Sequence, residues 1–244
     1  MKLSSNKILI TGATSGIGLA LLEAFLAYDN QIIALGRNEE RLKKLAQRTP
    51  KIIPFCCDIS NTEDLDQLVF FIEQEHKDLN ILINNAGIQY NYHFQENPQI
   101  SAQITQEINV NFIAPVQLIA LLLPTLHSNK NAAIVNVSSG LGLVPKMTAP
   151  VYCATKAAIH IFSQSLRYQL SAIKVFEIIP PLVETPMTAG RGKGKISPQQ
   201  LADEFMQALK KDKLTVNIGK VKWLKLINRV CPRFAQKIMK GSFS

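Results

Sequence analysis

Cysteine is scarce in this chain and poorly placed for metal or redox chemistry. The four cysteines are an adjacent pair, Cys56-Cys57, and the isolated Cys153 and Cys231. None has zinc-ligand spacing or forms a CxxC pair, so no metal centre is expected and reduced thiols in a cytoplasmic protein are the plain reading. Cys57 precedes Asp58 and Cys153 follows Tyr152, so each reads either as an oxidation-sensitive thiol or as a small packing residue. No Pro/Gly/Ser-rich linker or break in composition divides the 244 residues, which argues against two domains and for one α/β domain with an ample core. No apolar leader or cleavage site precedes the first strand, so export is not expected. The most apolar stretch, 112–126, is short for a membrane span and contains Pro115, Gln117 and Pro124, which predicts a buried helix. Acid is missing from the end of the chain: from Lys213 onward there are eight Lys or Arg and no Asp or Glu. The formal charge of +9 therefore belongs mostly to the tail, and the body is nearly neutral.

What is present is a regular alternation. Apolar runs near 7–11, 31–36, 51–55, 81–84, 133–138, 174–179 and 214–218 alternate with helical patterns at 17–28, 39–47, 63–75, 104–126, 152–170 and 199–210. This predicts a doubly wound, mainly parallel seven-stranded sheet of the Rossmann type, with helices on both faces. Ser60 followed by Glu63 has the spacing of a capping box and sets the start of the third helix. In such a sheet, ligands bind beyond the carboxyl ends of the strands. Several unusual short sequences fall there: 12–18, Gly36-Arg37, Asp58, 84–87, Ser138-Ser139 and 180–185.

Two segments, the first of these and a helix further on, carry the chemistry. Residues 8–18, reading Ile-Leu-Ile-Thr-Gly-Ala-Thr-Ser-Gly-Ile-Gly, are an apolar strand, a tight glycine turn and the start of an amphipathic helix. Such a turn aims free N–H groups and a positive helix end at a diphosphate, which makes Thr11, Gly12, Thr14, Ser15, Gly16, Ile17 and Gly18 the expected phosphate-binding segment. Tyr152 and Lys156 stand four residues apart on a predicted helix and share one face. An adjacent ammonium favours phenolate, so such a pair can move a proton to or from an oxygen, although without the other site residues it would read as an ordinary amphipathic helix surface.

With Asp58, Asn84-Asn85-Ala86-Gly87, Asn111, Ser139 and the 180–185 segment in their places, the chain resembles the short-chain dehydrogenase/reductase family over roughly residues 1–220. More narrowly, through residues 84–89, 179–183 and the basic end, it resembles bacterial short-chain oxidoreductases associated with D-alanylation of teichoic acids. The family resemblance implies hydride transfer between a nicotinamide cofactor and a carbonyl or alcohol. In it, Tyr152 is the proton donor, Ser139 a hydrogen bond to the reacting oxygen, Lys156 the orienting cation and Asn111 a holder of relay water. Ser138 is the rival of Ser139 by one position, Asn109 that of Asn111, and a purely structural buried amide stays open for both asparagines. Asp58 with Ile59, and Asn85, Ala86 and Gly87, would lie along the adenosine; Pro180, Val183 and Thr185 would lie by the nicotinamide. Arg37 follows Gly36 where an NAD-preferring site would carry an acid, so NADP(H) is expected over NAD(H), the alternative being Arg37 as a solvated charge. One departure is Pro181, where the family commonly has Gly; it removes an N–H donor and some freedom. It is the one encouragement for a rival reading, a nucleotide-sensing binding protein without turnover.

The sequence divides into a catalytic domain at 1–219 and a basic amphipathic extension at 220–244. Two further helices are predicted at 220–229 and 232–240. Trp223, Ile227, Val230, Phe234 and Ile238 follow helical steps between the bases. The stripe suits peripheral contact with an anionic membrane, or burial on the body or a partner subunit; nucleic acid is not expected, because aromatics are sparse among the bases. The lid at 186–196, with Gly190, Gly192 and Gly194 between Arg191, Lys193 and Lys195, reads as mobile and basic, either a solvated loop or an anion contact. Apolar positions in excess on the helices at 104–126 and 152–170 predict a homodimer or homotetramer.

Overall fold

The computed structural model describes residues 1–95 and 100–240. Its strands are β1 (Lys7–Thr11), β2 (Gln31–Gly36), β3 (Ile52–Cys56), β4 (Leu79–Asn84), β5 (Ala133–Val137), β6 (Lys174–Ile179) and β7 (Thr215–Asn217). They form one sheet in the order β3-β2-β1-β4-β5-β6-β7, and every neighbouring pair is parallel. The helices are α1 (Gly16–Leu26), α2 (Glu39–Ala46), α3 (Thr62–Glu75), α4 (Ile100–Ile108), α5 (Ala114–His127), α6 (Pro150–Gln169), α7 (Pro198–Lys210), α8 (Val221–Val230) and α9 (Pro232–Lys240). The expected doubly wound fold is thus what the chain adopts.

Strands buried on both faces need apolar residues at odd and even positions alike, and these have them. Ile8, Ile10, Ile32, Ile81 and Phe176 face the α1, α2 and α7 side, while Leu9, Ile33, Leu82, Ile134 and Val175 face α3, α5 and α6. On the first side Phe205 of α7 meets Phe25 of α1 and Phe176 of β6 edge to face, with centroids 6.5 and 6.4 Å apart. Pro54 is tolerated in β3 because that strand is at the sheet edge.

Two expectations are corrected. The cap of α3 is Asn61, not Ser60: the Asn61 side chain accepts from Glu63 N at 2.8 Å and Asp64 N at 3.2 Å. Ser60 donates its hydroxyl instead to Asp58 Oδ1 at 2.7 Å, a charge-assisted bond that outcompetes capping. The helix expected at 104–126 is longer and interrupted. It starts at Ile100, passes through a π-helical turn at Asn109–Ile113 and continues as α5. By length and composition the run Ile100–His127 could span a bilayer, yet it lies against the sheet and carries the buried Glu107 and Asn111.

The tail folds back only in part. Val221 and Ala235 are buried, Val221 and Leu224 approach Gly140, and Asn228 Nδ2 donates to Leu143 O at 3.4 Å. Trp223 (67%), Val230 (76%), Phe234 (47%) and Ile238 (38%) remain exposed, so this chain alone leaves most of the stripe uncovered. Residues 241–244 of the expected extension lie outside the described residues.

Candidate active site

The order β2-β1-β4-β5 reverses chain direction of growth between β1 and β4, which opens a crevice at their carboxyl ends. The glycine turn after β1 is fixed there by a close backbone approach. A Cβ on Gly18 would lie 2.2 Å from Gly12 O, so α1 can start so near the strand only with glycine at this position. Gly12 itself has φ +66°, in the left-handed region. Asn85, just past β4, donates its amide to Thr11 O at 2.9 Å and Gly12 O at 3.3 Å, while Thr11 Oγ1 accepts from Asn85 N and Ala86 N at 2.9 and 3.0 Å. The turn is thereby stapled to the end of the neighbouring strand. The N-cap residue of α1, Ser15, makes no side-chain cap and the first turn holds no acid, unlike α2 and α3, which are capped by Asn38 and Asn61 and carry acids there. The α1 N-terminus is left to an anion.

A cavity of about 550 Å³ runs along this crevice. Of the expected cofactor residues, Gly12, Thr14, Ser15, Gly16, Ile17, Arg37, Asp58, Ile59, Asn85, Ala86, Gly87, Tyr152, Lys156, Pro180 and Thr185 line it. Thr11, Gly18 and Val183 stand behind the wall: Thr11 and Val183 are buried at 1% and 3% exposure, and Gly18 packs on the turn. They shape the cavity without lining it. Asn38, Arg41 and Met187 line it too and were not anticipated. Nothing in sequence marks Arg41, which reaches the rim only because Asn38 caps α2 by accepting from Arg41 N at 2.8 Å.

At one end the catalytic candidates converge. Ser139 lies close enough to the Tyr152 phenol to favour its ionisation, and its Oγ accepts from Leu141 N at 3.1 Å. Ser138 points the other way, donating to Glu177 Oε1 at 2.5 Å, a carboxylate that His160 also meets at 2.9 Å. Strand alternation separates the two serines as expected. Lys156 Nζ donates to Val137 O at 2.9 Å and sits 5.7 Å from the Tyr152 ring centroid. Asn111 lies in the π-helical turn with its amide committed: Oδ1 accepts from Ile88 N at 2.8 Å, and Nδ2 donates to Ile88 O at 2.9 Å and Thr155 Oγ1 at 3.3 Å. This side chain pins the 88–94 loop; Asn109 is not buried. A further residue that sequence reasoning missed is Gly142, whose Cβ would lie 2.7 Å from the Lys156 carbonyl carbon. It lets the turn after Ser139 rest directly on α6. The only available signal was a second glycine two residues after Gly140.

Burial sets the protonation of the ligand-free site. Burial pushes the Tyr152 phenol up to about 12, outweighing the opposite effect of Ser139, so in the ligand-free protein the phenol keeps its proton rather than becoming phenolate. Burial brings Lys156 down to about 8. The thiols beside the site are not activated: burial raises Cys57 to about 12 and also raises Cys153, so both behave as packing residues.

At the other end Arg37 Nη1 lies 3.6 Å from Asp58 Oδ2, and Arg37 is largely exposed on the rim. Burial works against the Asp58 carboxylate, but hydrogen bonds from Ser60 and the Arg37 charge outweigh it and hold its pKa below the usual range. The lid is anchored at its base, where Glu184 N donates to Ile196 O at 2.9 Å and Ile196 N to Leu182 O at 3.1 Å. Thr185 Cγ2 would be 2.9 Å from a Cβ on Gly16, so the lid base sits on the glycine turn. Of the three lid bases, Lys195 folds back to donate to Thr188 O at 2.6 Å, Lys193 is exposed, and Arg191 turns across to Gln89 O at 3.4 Å.

A doubly wound parallel sheet with a glycine-turn crevice at the switch point defines an α/β protein of the Rossmann type. A family profile described as short chain dehydrogenase matches residues 6–196, and the chain belongs to that family. It is 38% identical over 233 residues to the uncharacterized oxidoreductase DltE of Bacillus subtilis, covering 92% of each chain. A short chain dehydrogenase from Burkholderia cenocepacia, solved in complex with NADP, superposes with a TM-score of 0.88 at 26% identity, covering 98% of this chain and 99% of that one. One from Burkholderia phymatum, solved with NAD, has a TM-score of 0.85 at 17% identity over 100% of this chain and 98% of that one, a likeness of fold.

The Lys156 charge is buried at a cost that pH reveals. Below about pH 8 the folded and unfolded chains both carry it, and the native state bears the full cost; between about 8 and the ordinary 10.5 the native amine loses its proton first and the cost fades. Lys156→Met should therefore stabilise the ligand-free protein near pH 7 by up to about 3 kcal/mol, with the gain vanishing toward pH 10.5. Urea unfolding at pH 7 and pH 10 checks this, and a gain independent of pH would count against it.

Proposed function

We propose that this protein is an oxidoreductase transferring hydride between NADP(H) and a carbonyl or secondary alcohol, with Tyr152, Ser139, Lys156 and Asn111 as its working residues. The observation that carries the reading is that the buried Tyr152 and Lys156, on one face of α6, line the end of a dinucleotide-sized cavity. A dinucleotide fits the residues present: the uncapped α1 N-terminus and Gly12 to Ile17 suit its diphosphate, and Lys156 suits the ribose next to the nicotinamide. When bound, the reduced nicotinamide supplies the hydride, two electrons that end on the carbonyl carbon. Ser139 and Tyr152 hold the carbonyl oxygen, and Tyr152 gives that oxygen its proton as the negative charge develops. The resulting phenolate is stabilised by Lys156 and regains a proton from solvent. In the alcohol-oxidising direction the same groups act in reverse. The Asn111 side chain serves by pinning Ile88 and Thr155 beside Lys156, so a water relay would run past it, not through its amide. Pro181 does not line the cavity and leaves Pro180 O free to accept from Gly140 N at 2.9 Å, which favours turnover over a purely sensing role.

Preference for NADP(H) is supported by Arg37 and Arg41 at the rim, by the lack of an acid at Gly36 or Arg37, and by the NADP held by the Burkholderia cenocepacia relative. The exposed free thiols Cys56 and Cys231 suit a reducing compartment, and we place the protein in the cytoplasm. We read 1–219 as the catalytic unit and 220–244 as its basic extension. Exposed Ile113, Leu121, Ile161 and Tyr168 on the long helices support a homodimer or homotetramer. The exposed tail stripe among bases supports reversible contact with anionic membrane.

Tyr152→Phe should lower turnover by about a thousandfold or more while cofactor affinity stays within a few-fold, since it removes one proton donor and little contact area. Near-normal turnover in this variant would sink the mechanism. Arg37→Asp should weaken NADPH relative to NADH by about tenfold or more; parallel fluorescence titrations with both cofactors decide it, and an unchanged ratio rejects the assignment. Light scattering that finds only the 27.1 kDa species rejects the oligomer, and failure to sediment with anionic vesicles at low salt rejects the membrane contact.

A further inference from the structure

Arg191 is not explained by the cofactor. It comes from the lid, between Gly190 and Gly192, both with positive φ. Its Nη2 reaches Gln89 O on the opposite wall at 3.4 Å, a long and weak bond. Its Nη1 is shielded from solvent and finds no hydrogen-bond partner among the described residues. A guanidinium N–H taken out of water without an acceptor is unfavourable, and a ligand oxygen would relieve it. Arg191 is absent from the wall of the dinucleotide cavity, although Thr185, Pro186 and Met187 just before it belong to that wall. Its charge nevertheless acts on the Tyr152 phenol, opposing in small part the effect of burial. The free donor therefore lies near the proton-donating group and outside the cofactor.

The facing wall is built to stay in place. Glu107, fully buried, accepts from Tyr90 N at 2.9 Å and from the Tyr92 hydroxyl at 3.3 Å, which fixes the 88–94 loop. Burial raises the Glu107 pKa, and the backbone N–H of Tyr90 and the Tyr92 hydroxyl take up its carboxylate oxygens, although its charge still acts on the Tyr152 phenol more strongly than that of Arg191. With both its oxygens engaged on this loop, Glu107 does not neutralise Arg191.

We propose that Arg191 recognises an anionic group on the substrate, a carboxylate or a phosphate ester, so that the enzyme acts on acidic carbonyl or hydroxyl compounds. A planar guanidinium bridging lid and loop offers N–H donors in the geometry such a group accepts. The bound anion accepts from Arg191 Nη1 while Nη2 keeps its bond to Gln89 O, which holds the lid on the 88–94 loop beside the reacting carbonyl. This assignment rests on the hydride-transfer reading given above.

Two matched pairs test it with NADPH: acetoacetate against its methyl ester, and hydroxyacetone phosphate against hydroxyacetone. The wild-type enzyme should favour the charged member of at least one pair by about tenfold or more in kcat/KM, and the pair that shows it distinguishes carboxylate from phosphate. Arg191→Gln should reduce that preference by about tenfold, chiefly through KM, and Arg191→Lys should retain part of it. A general structural defect would lower both members of a pair together. Equal rates for charged and neutral members, or a preference that survives Arg191→Gln, overturns the inference. A second arm needs no turnover: acetoacetate and inorganic phosphate are titrated into the NADPH complex, followed by nicotinamide fluorescence. Loss of anion affinity in Arg191→Gln supports the inference even where no carbonyl is reduced, an outcome that would count against the hydride-transfer reading alone. Unchanged affinity, or no anion binding in the wild type, overturns it even where neutral carbonyls are turned over.

Discussion

Everything in this crevice depends on how closely α1 can approach the end of β1. The separation is set by backbone atoms, Gly12 O against the position a Gly18 Cβ would take, and is shorter than any side chain tolerates. With the helix so placed, its N-terminal N–H groups open onto the space between β1 and β4. Asn85 then carries the constraint across the switch point by bonding to the carbonyls of Thr11 and Gly12. Since Ile88, three residues further on, is gripped by Asn111, the staple at one end of the cavity and the pinned loop at the other belong to one short stretch after β4. A change in the glycine turn is therefore felt at the catalytic end without any long-range conformational switch.

The second organising device is the π-helical turn at Asn109–Ile113. One wider turn lets the long helix keep its apolar face on the sheet while Asn111 faces Ile88 and Thr155 and Glu107 faces Tyr90 and Tyr92. The 88–94 loop and α6 are thus held by the same helical segment. π-Bulges of this kind are often retained where function requires a side chain that regular spacing would misdirect.

Legibility in the sequence followed the physics of each part. Strands buried on two faces announce themselves as apolar runs, and the seven expected ones are all found within a few residues. The glycine turn and the Tyr152/Lys156 pair were legible because short-range geometry, strand to turn to helix or i to i+4, determines what they do. Strand alternation allowed only one of Ser138 and Ser139 to face the site, and the family resemblance chose Ser139. The rest depended on competition between partners that no local pattern reports. Asn61 displaced Ser60 as a cap because Asp58 claimed the serine hydroxyl. The inward turn of Arg191 depends on a carbonyl 102 residues earlier in the chain, and the state of Tyr152 depends on burial by the whole fold. The expected phenolate called for an oxidised nicotinamide as well as Lys156; in the ligand-free protein the lysine is directed to Val137 O and desolvation keeps the phenol protonated.

Burial of these two groups gives the site its logic. A buried phenol that resists ionisation and a buried amine whose proton is loosened are both consequences of excluding water. At neutral pH the amine still carries its charge, so the empty site bears the cost of one buried cation. Arrival of a cofactor bearing phosphates and of a substrate oxygen that becomes negative changes the balance: each new negative charge favours the protonated lysine and the departing tyrosine proton finds an acceptor. The same exclusion of water that makes Lys156 costly in the empty protein strengthens its field on the reacting oxygen once the site is filled. Catalytic competence and the local instability of the empty site therefore arise from one cause, the burial of Tyr152 and Lys156 on a single face of α6.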